Sequence, residues 1–223
     1  MRRLIIICVI SLFVCSGCAS MKPKEEMTAQ ELASEGMDAF KDKKYVNALE
    51  SFKKLKDWYP FSKYAILAEL KTADANYSLN EYNEAVVAYE EFESLHPQNE
   101  AIPYVIYQIG LCYFKQIDTA DRDQSSAEKA LASFKRLEKQ FPKNTYASKA
   151  KDHVNKCQKS LAGHEFYVGL FYYNSKHYKA ALKRFHAVLS KYPDVGVQQK
   201  ALQYIALCET LLNVPPPSDR KGR

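Results

Sequence analysis

Apolar and small residues recur along the chain at the spacing of packed helices. Ala33, Gly36, Met37 and Phe40 keep the i, i+3, i+4, i+7 positions that share one helical face. Four prolines follow an aromatic or a histidine: Tyr59-Pro60, His96-Pro97, Phe141-Pro142 and Tyr192-Pro193. Twelve residues before each proline stands an alanine (Ala48, Ala85, Ala130, Ala181), and eight before each an aromatic (Phe52, Tyr89, Phe134, Phe185). Gly36, Ala73 and Gly169 lie 24 residues before their prolines, and Gly110 eight residues further back. Each is followed four residues later by an aromatic: Phe40, Tyr77, Tyr173 and Phe114. The pattern predicts four pairs of antiparallel helices. The small residue and the alanine let the two backbones approach, the aromatics fill gaps between neighbouring repeats, and the proline ends the second helix. Thr28-x-x-Glu31 and Ser125-x-x-Glu128 read as capping boxes that start helices.

A period of this kind is the signature of an α-solenoid. The small, aromatic, Ala, aromatic, Pro order is the tetratricopeptide pattern, and the fold class it predicts is all-α: a right-handed solenoid of about five helix pairs. Successive prolines are 37, 45 and 51 residues apart, against about 34 for a standard repeat. The second interval holds an inserted loop, Gln116 to Ser126. The third carries Tyr146, Ala150, Val154, Cys157 and Leu161 at helical intervals, which predicts one long helix from Asn144 to Asn174 whose surplus adds about 25 Å. That helix divides the chain into an N-terminal module (28–142) and a C-terminal module (143–214). Gln198 to Leu212 is predicted as a closing helix, stopped by Pro215-Pro216-Pro217 ahead of a disordered tail (215–223).

The first 17 residues change this picture. Two arginines precede Leu4–Val14, eleven residues in which Ser11 alone is not apolar. Eleven are too few to span a bilayer, for which about 20 are needed, so the segment reads as a signal peptide. Cys18 follows Ser16-Gly17 and resembles the acylated cysteine of the bacterial lipoprotein lipobox, although Cys15 stands where a leucine is usual. The resemblance implies cleavage before Cys18 and lipidation there, the alternative being ordinary cleavage to a soluble product. Ala19 after it favours the outer membrane, and residues 18–27 read as a polar tether. Cys8 and Cys15 leave with the leader, and the odd set Cys112, Cys157 and Cys208 reads as buried free thiols.

Composition narrows the function further. The chain of 223 residues carries +6 net charge, of which Arg2 and Arg3 supply two, and no basic stripe points to nucleic acid. No phosphate loop or nucleophile motif occurs. His153 and Cys157 share a helix face without a third ligand. Asp118, Asp121 and Asp123 lack the glycine and final glutamate of an EF-hand loop. The residues therefore predict no catalysis, cofactor or metal, but a groove that binds polypeptides. Trp58-Tyr-Pro-Phe-Ser-Lys-Tyr64 places four aromatics around one inter-repeat turn, either as packing or as a pocket for an apolar peptide end.

Tyr59-Pro-Phe61 with Tyr64, His96-Pro97, Tyr104-Val105 with Tyr107, Gly110-Leu111, Asp121-Arg122-Asp123 and Tyr192-Pro193-Asp194 resemble the BamD family, lipoproteins of the outer-membrane barrel-assembly machinery. The resemblance spans the mature chain, including the insertion and the long helix. It implies a non-catalytic lipoprotein on the periplasmic face of the outer membrane. Such a protein takes unfolded β-barrel precursors in its N-terminal repeats and docks the last POTRA domain of a BamA-type barrel protein with its C-terminal repeats. By this likeness Tyr45, Tyr59, Phe61, Ser62 and Tyr64 fall to precursor recognition and Arg184 to the POTRA contact. Val46 stands where the family has a basic residue after the aromatic. By the same likeness the chain ends about ten residues sooner than familiar members and lacks their final helix, which bears on contacts with other Bam lipoproteins. A tetratricopeptide pilotin for secretins, or a general periplasmic adaptor, shares the lipobox and solenoid and is the competing expectation.

Overall fold

A computed structural model describes residues 27–213. The predicted signal peptide, the lipidation site Cys18, nearly all of the tether and the tail 215–223 lie outside them. The described residues form nine α-helices and no strand: α1 (Ala29–Lys41), α2 (Tyr45–Trp58), α3 (Ala65–Ser78), α4 (Tyr82–Leu95), α5 (Ile102–Phe114), α6 (Ser125–Gln140), α7 (Thr145–Asn174), α8 (Tyr178–Lys191) and α9 (Gln198–Asn213). Each helix packs on its chain neighbours, α1 also touches α3 and α5 also touches α7. The fold is the all-α tetratricopeptide stack, as four helix pairs followed by α9.

What holds a pair together is a missing side chain. A Cβ added to Gly36, Gly110 or Gly169 would stand 2.5 Å from Cε1 of Phe52, Phe134 or Phe185 respectively. The ring from the second helix lies in the space the glycine leaves on the first. Ring and glycine belong to one pair, and two of the rings also meet the next repeat, as expected of residues that seal neighbours: Phe134 stacks on His153 at 5.2 Å and Phe185 on Tyr204 at 5.3 Å. The aromatic four residues on lies edge-on to the residue that opens the next helix, as in Phe40–Tyr45, Tyr77–Tyr82 and Tyr173–Tyr178 at 5.3, 5.6 and 5.8 Å. It reaches the following repeat where Phe114 meets His153 at 4.7 Å and Tyr173 meets Tyr204 at 5.1 Å. The turn between the two helices repeats as well. Lys43, Asn80 and Lys176 adopt φ near 61–63°, and the following amides of Lys44, Glu81 and His177 donate back to Ala39, Asn76 and Tyr172 carbonyls at 2.8–2.9 Å. This satisfies the last carbonyls of the first helix.

The third pair departs from this turn because of its insertion, and the structure shows what the insertion does. Gln124, buried, donates to the Thr119 and Arg122 carbonyls, while its Oε1 accepts from Ser160 of α7 at 2.8 Å. The Ala120 carbonyl accepts from His164 Nδ1 at 2.7 Å. The loop is thus fastened to the long helix. The capping box expected at Ser125 does not form: Ser125 is already the first helical residue, and its amide donates to Asp123 Oδ2. Asp123, two residues upstream, has taken the capping role. The box at Thr28 and Glu31 does form, at 2.8 and 3.3 Å.

The long helix runs Thr145–Asn174, 30 residues capped by Asn144. Its first half, with Ala147, Ala150 and Cys157, packs into the core of α3–α6; its second half, from Ala162, packs with α8 and α9. A third cluster joins α1, α2 and the start of α3. Replacing Gly110 by Ala should force the Phe134 ring out of place. Overpacking costs about 1–3 kcal/mol, and the helix propensity gained returns at most about 1 kcal/mol. The expected result is a lower thermal midpoint with unchanged helix content, read by circular dichroism.

Candidate functional site

The turn between α2 and α3 gathers four of the sequence-derived peptide-binding residues and separates them into two groups. Tyr59 and Tyr64 face inward. Both pack on the cluster that joins α1, α2 and the start of α3, and the Tyr59 hydroxyl donates to the Met27 carbonyl at 2.9 Å, tying the start of the described chain to the turn. Lys63 Nζ sits 5.1 Å over the Tyr64 ring. Phe61 is fully exposed at 101% and Trp58 is 52% exposed. Ser62 stands between the two groups: its amide donates to the Tyr59 carbonyl, while its Oγ is buried without a hydrogen-bond partner. The fifth residue, Tyr45, opens α2 half-buried against Phe40.

Exposed apolar side chains beyond that set lie nearby in sequence. Ile66, on the first turn of α3, is 42% exposed and Val46, beside Tyr45, 66%. Val46 had marked itself in the sequence as an apolar residue at a basic position, whereas Ile66 carries no signal that distinguishes it from core. Large apolar groups left in water on a turn gain by being covered. This surface is suited to an apolar or aromatic chain segment and carries no arrangement for bond chemistry.

Arg184 lies on α8 in a different setting. Its Nη1 donates to Glu165 Oε2 at 3.0 Å, and Lys191 Nζ donates to Glu165 Oε1 at 3.1 Å. Glu165 is a buried carboxylate of α7. Burial pushes its carboxyl up, but the hydrogen bonds from Arg184 and Lys191 outweigh this and hold it below the ordinary glutamate value. Lys183, His186 and Ser190 line the same open cavity of about 490 Å³. Arg184 is therefore a held cation at the mouth of a basic hollow, not a freely solvated charge.

Two polar clusters in the core have no sequence signal of their own. Asp74, buried on α3, accepts from the Tyr89 and Tyr104 hydroxyls at 2.6 Å and from Lys71 at 2.7 Å, and Gln108 donates to both tyrosine oxygens. Burial, reinforced by the Asp74 charge, pushes both phenols well above their ordinary range. His153 on α7 is enclosed by Phe134, stacked at 5.2 Å, Phe114 at 4.7 Å and Tyr107 at 6.0 Å. Its Nε2 lies 3.3 Å from the Tyr107 hydroxyl and its Nδ1 is buried without a partner. The His153–Cys157 pair does not face a ligand set, since Cys157 is wholly buried in the core. Among the described residues no group of three His, Cys, Asp or Glu converges on one point.

Burial lowers the proton affinity of His153. The unfolded chain then takes up the proton first, so stability falls as pH drops below about 6.5, the ordinary histidine value. Comparing thermal midpoints at about pH 7.5 and 5.5 should show a smaller loss for His153→Leu than for the wild type. Equal losses would assign the acid sensitivity to other groups.

Comparison with known proteins fits this arrangement. The model of the YfiO family, described as outer membrane lipoprotein, matches residues 25–220. The outer membrane protein assembly factor BamD of Caulobacter vibrioides is 30% identical over 212 residues, which are 93% of this chain and 70% of that protein. BamD of Rickettsia prowazekii is 32% identical over 191 residues, 85% and 76% of the two chains. Among solved structures, the TPR2AB domain of yeast Sti1 in a pHSP90 complex aligns with TM-score 0.47 and 14% identity, covering 83% of this chain and 71% of that one. With the family model matching residues 25–220, nearly the whole chain, the chain belongs to the YfiO/BamD family of outer membrane lipoproteins.

Proposed function

We propose that this chain is a non-catalytic scaffold and substrate-recognition lipoprotein in the assembly of outer-membrane β-barrel proteins, held by lipid at Cys18 on the periplasmic face. The observation that carries the reading is the match of residues 25–220 to a family whose curated relatives are named for that assembly. No helix among the described residues is long and apolar enough to cross a membrane, in keeping with a lipid anchor.

The N-terminal module (28–142) receives an unfolded barrel precursor at the α2–α3 turn. Phe61 and Trp58 offer the apolar surface, and Tyr59, Ser62 and Tyr64 set the turn's shape, with Tyr45 beside it. Covering an aromatic side chain contributes about 1.5–3 kcal/mol, so two of them give the weak grip that a handover step needs. The C-terminal module (143–214) docks the POTRA domain of a BamA-type barrel protein. Glu165 occupies one N–H of Arg184, and the rest of that guanidinium's five donors remain to meet a partner carboxylate.

A labelled synthetic peptide with the aromatic C-terminus of a barrel precursor tests the first half. Trp58→Ala with Phe61→Ala should weaken its binding about 100-fold or more without lowering the thermal midpoint, because both side chains are exposed. Unchanged affinity would move recognition to another surface. Arg184→Glu should reduce association with the POTRA-bearing protein while leaving the peptide affinity intact. Purification of the anchored protein in gentle detergent should recover that partner; recovery of a secretin in its place would favour the pilotin alternative.

A further inference from the structure

The repeat register continues beyond the fourth pair. Ala73 lies 13 residues after Pro60 and Gly110 13 after Pro97; the same step from Pro193 arrives at Ala206. Ala206 thus holds, on α9, the place of Gly36, Ala73, Gly110 and Gly169, and Leu202 holds the place of Leu32 and Ile106. The environments differ. Gly36, Gly110 and Gly169 lie beneath a phenylalanine ring of their second helix, and Leu32, Ile106 and Ala73 have no exposed surface. Ala206 is exposed, and Leu202 and Leu207 are 50% and 47% exposed. The opposite face of α9 is filled: Ala201, Ile205 and Cys208 join the core of α7 and α8. Tyr204 packs against Phe166, Tyr173 and Phe185. α9 is therefore the first helix of a repeat whose second helix is missing among the described residues.

We propose that this face is a docking surface for an amphipathic helix of another protein, seated antiparallel as a second helix would be. The face continues the helix-pair interface that runs through the molecule, and the four existing pairs define the chemistry of what covers it. Every second helix presents Ala, an aromatic four residues on and a large apolar residue three further, all buried: Ala48-Phe52-Leu55, Ala85-Tyr89-Phe92, Ala130-Phe134-Leu137 and Ala181-Phe185-Val188. The guest helix needs the same three residues, its ring resting over Ala206 and its flanks on Leu202 and Leu207. Residues 214–223 contain three prolines and no aromatic, so that segment does not supply the ring.

A stapled, fluorescent peptide with the α8 sequence, Tyr178–Lys191, is a ready probe of this class, since stapling supplies the helicity that so short a peptide lacks in water. Against the full chain in mild detergent it should bind saturably. Ala206→Arg should weaken binding about tenfold or more with the thermal midpoint unchanged, and Phe185→Ala within the peptide should do the same. Absence of binding, or binding indifferent to Ala206→Arg, would overturn the proposal. So would a wild-type dimer in sedimentation that Ala206→Arg dissociates, which would make the occupant a second copy. Binding that appears only after removal of residues 214–223 would make it the chain's own tail.

Discussion

The arrangement depends on a steric vacancy used three times. Where Gly36, Gly110 and Gly169 lack a Cβ, a phenylalanine from the paired helix fills the space. This sets how near the two helices lie, and hence where every other side chain of the pair meets its neighbour. Three of the four pairs are joined by a tight reversal through a left-handed residue, Lys43, Asn80 or Lys176, while the third, equally close at Gly110, is joined by the longer insertion. A left-handed lysine costs about 1–2 kcal/mol, and the closeness of the pair is what maintains it.

The second pair packs differently and gains a polar centre. Ala73 stands in place of glycine and Tyr89 in place of phenylalanine, so the ring brings a hydroxyl into the interior. That hydroxyl needs an acceptor, which Asp74 provides, and Asp74 in turn accepts from Tyr104 of the following pair. The tyrosine in this register thus links the second and third pairs through a hydrogen-bonded centre in the core. Glu165 performs a related task between α7 and α8, holding two cations against a buried carboxylate.

The repeat architecture was legible because its determinants are local and periodic: small residue, aromatic, Ala, aromatic and Pro recur at fixed offsets, and the long helix announced itself as excess length with helical spacing. The site was legible only as a neighbourhood. Four aromatics in a seven-residue turn have no period, so nothing in the sequence separates Tyr59, whose hydroxyl finds the Met27 carbonyl 32 positions away, from Phe61, which finds nothing. The hold on Arg184 was not legible, because its tether to Glu165 spans 19 positions and no motif encodes it. The helix start at Ser125 was misplaced by one residue because an Asp two positions upstream caps as effectively as the expected serine.

The three cysteines of the described chain carry a chemical consequence. Each lies on a different helix, buried, and burial raises all three thiols, Cys112 and Cys157 to about 12. Near neutral pH these two are then thiolate in only about one part in 10⁵, and the thiolate is the form that attacks a disulfide. The packing that builds the solenoid therefore also shields the sulfur of Cys112 and Cys157, slowing their attack on a disulfide.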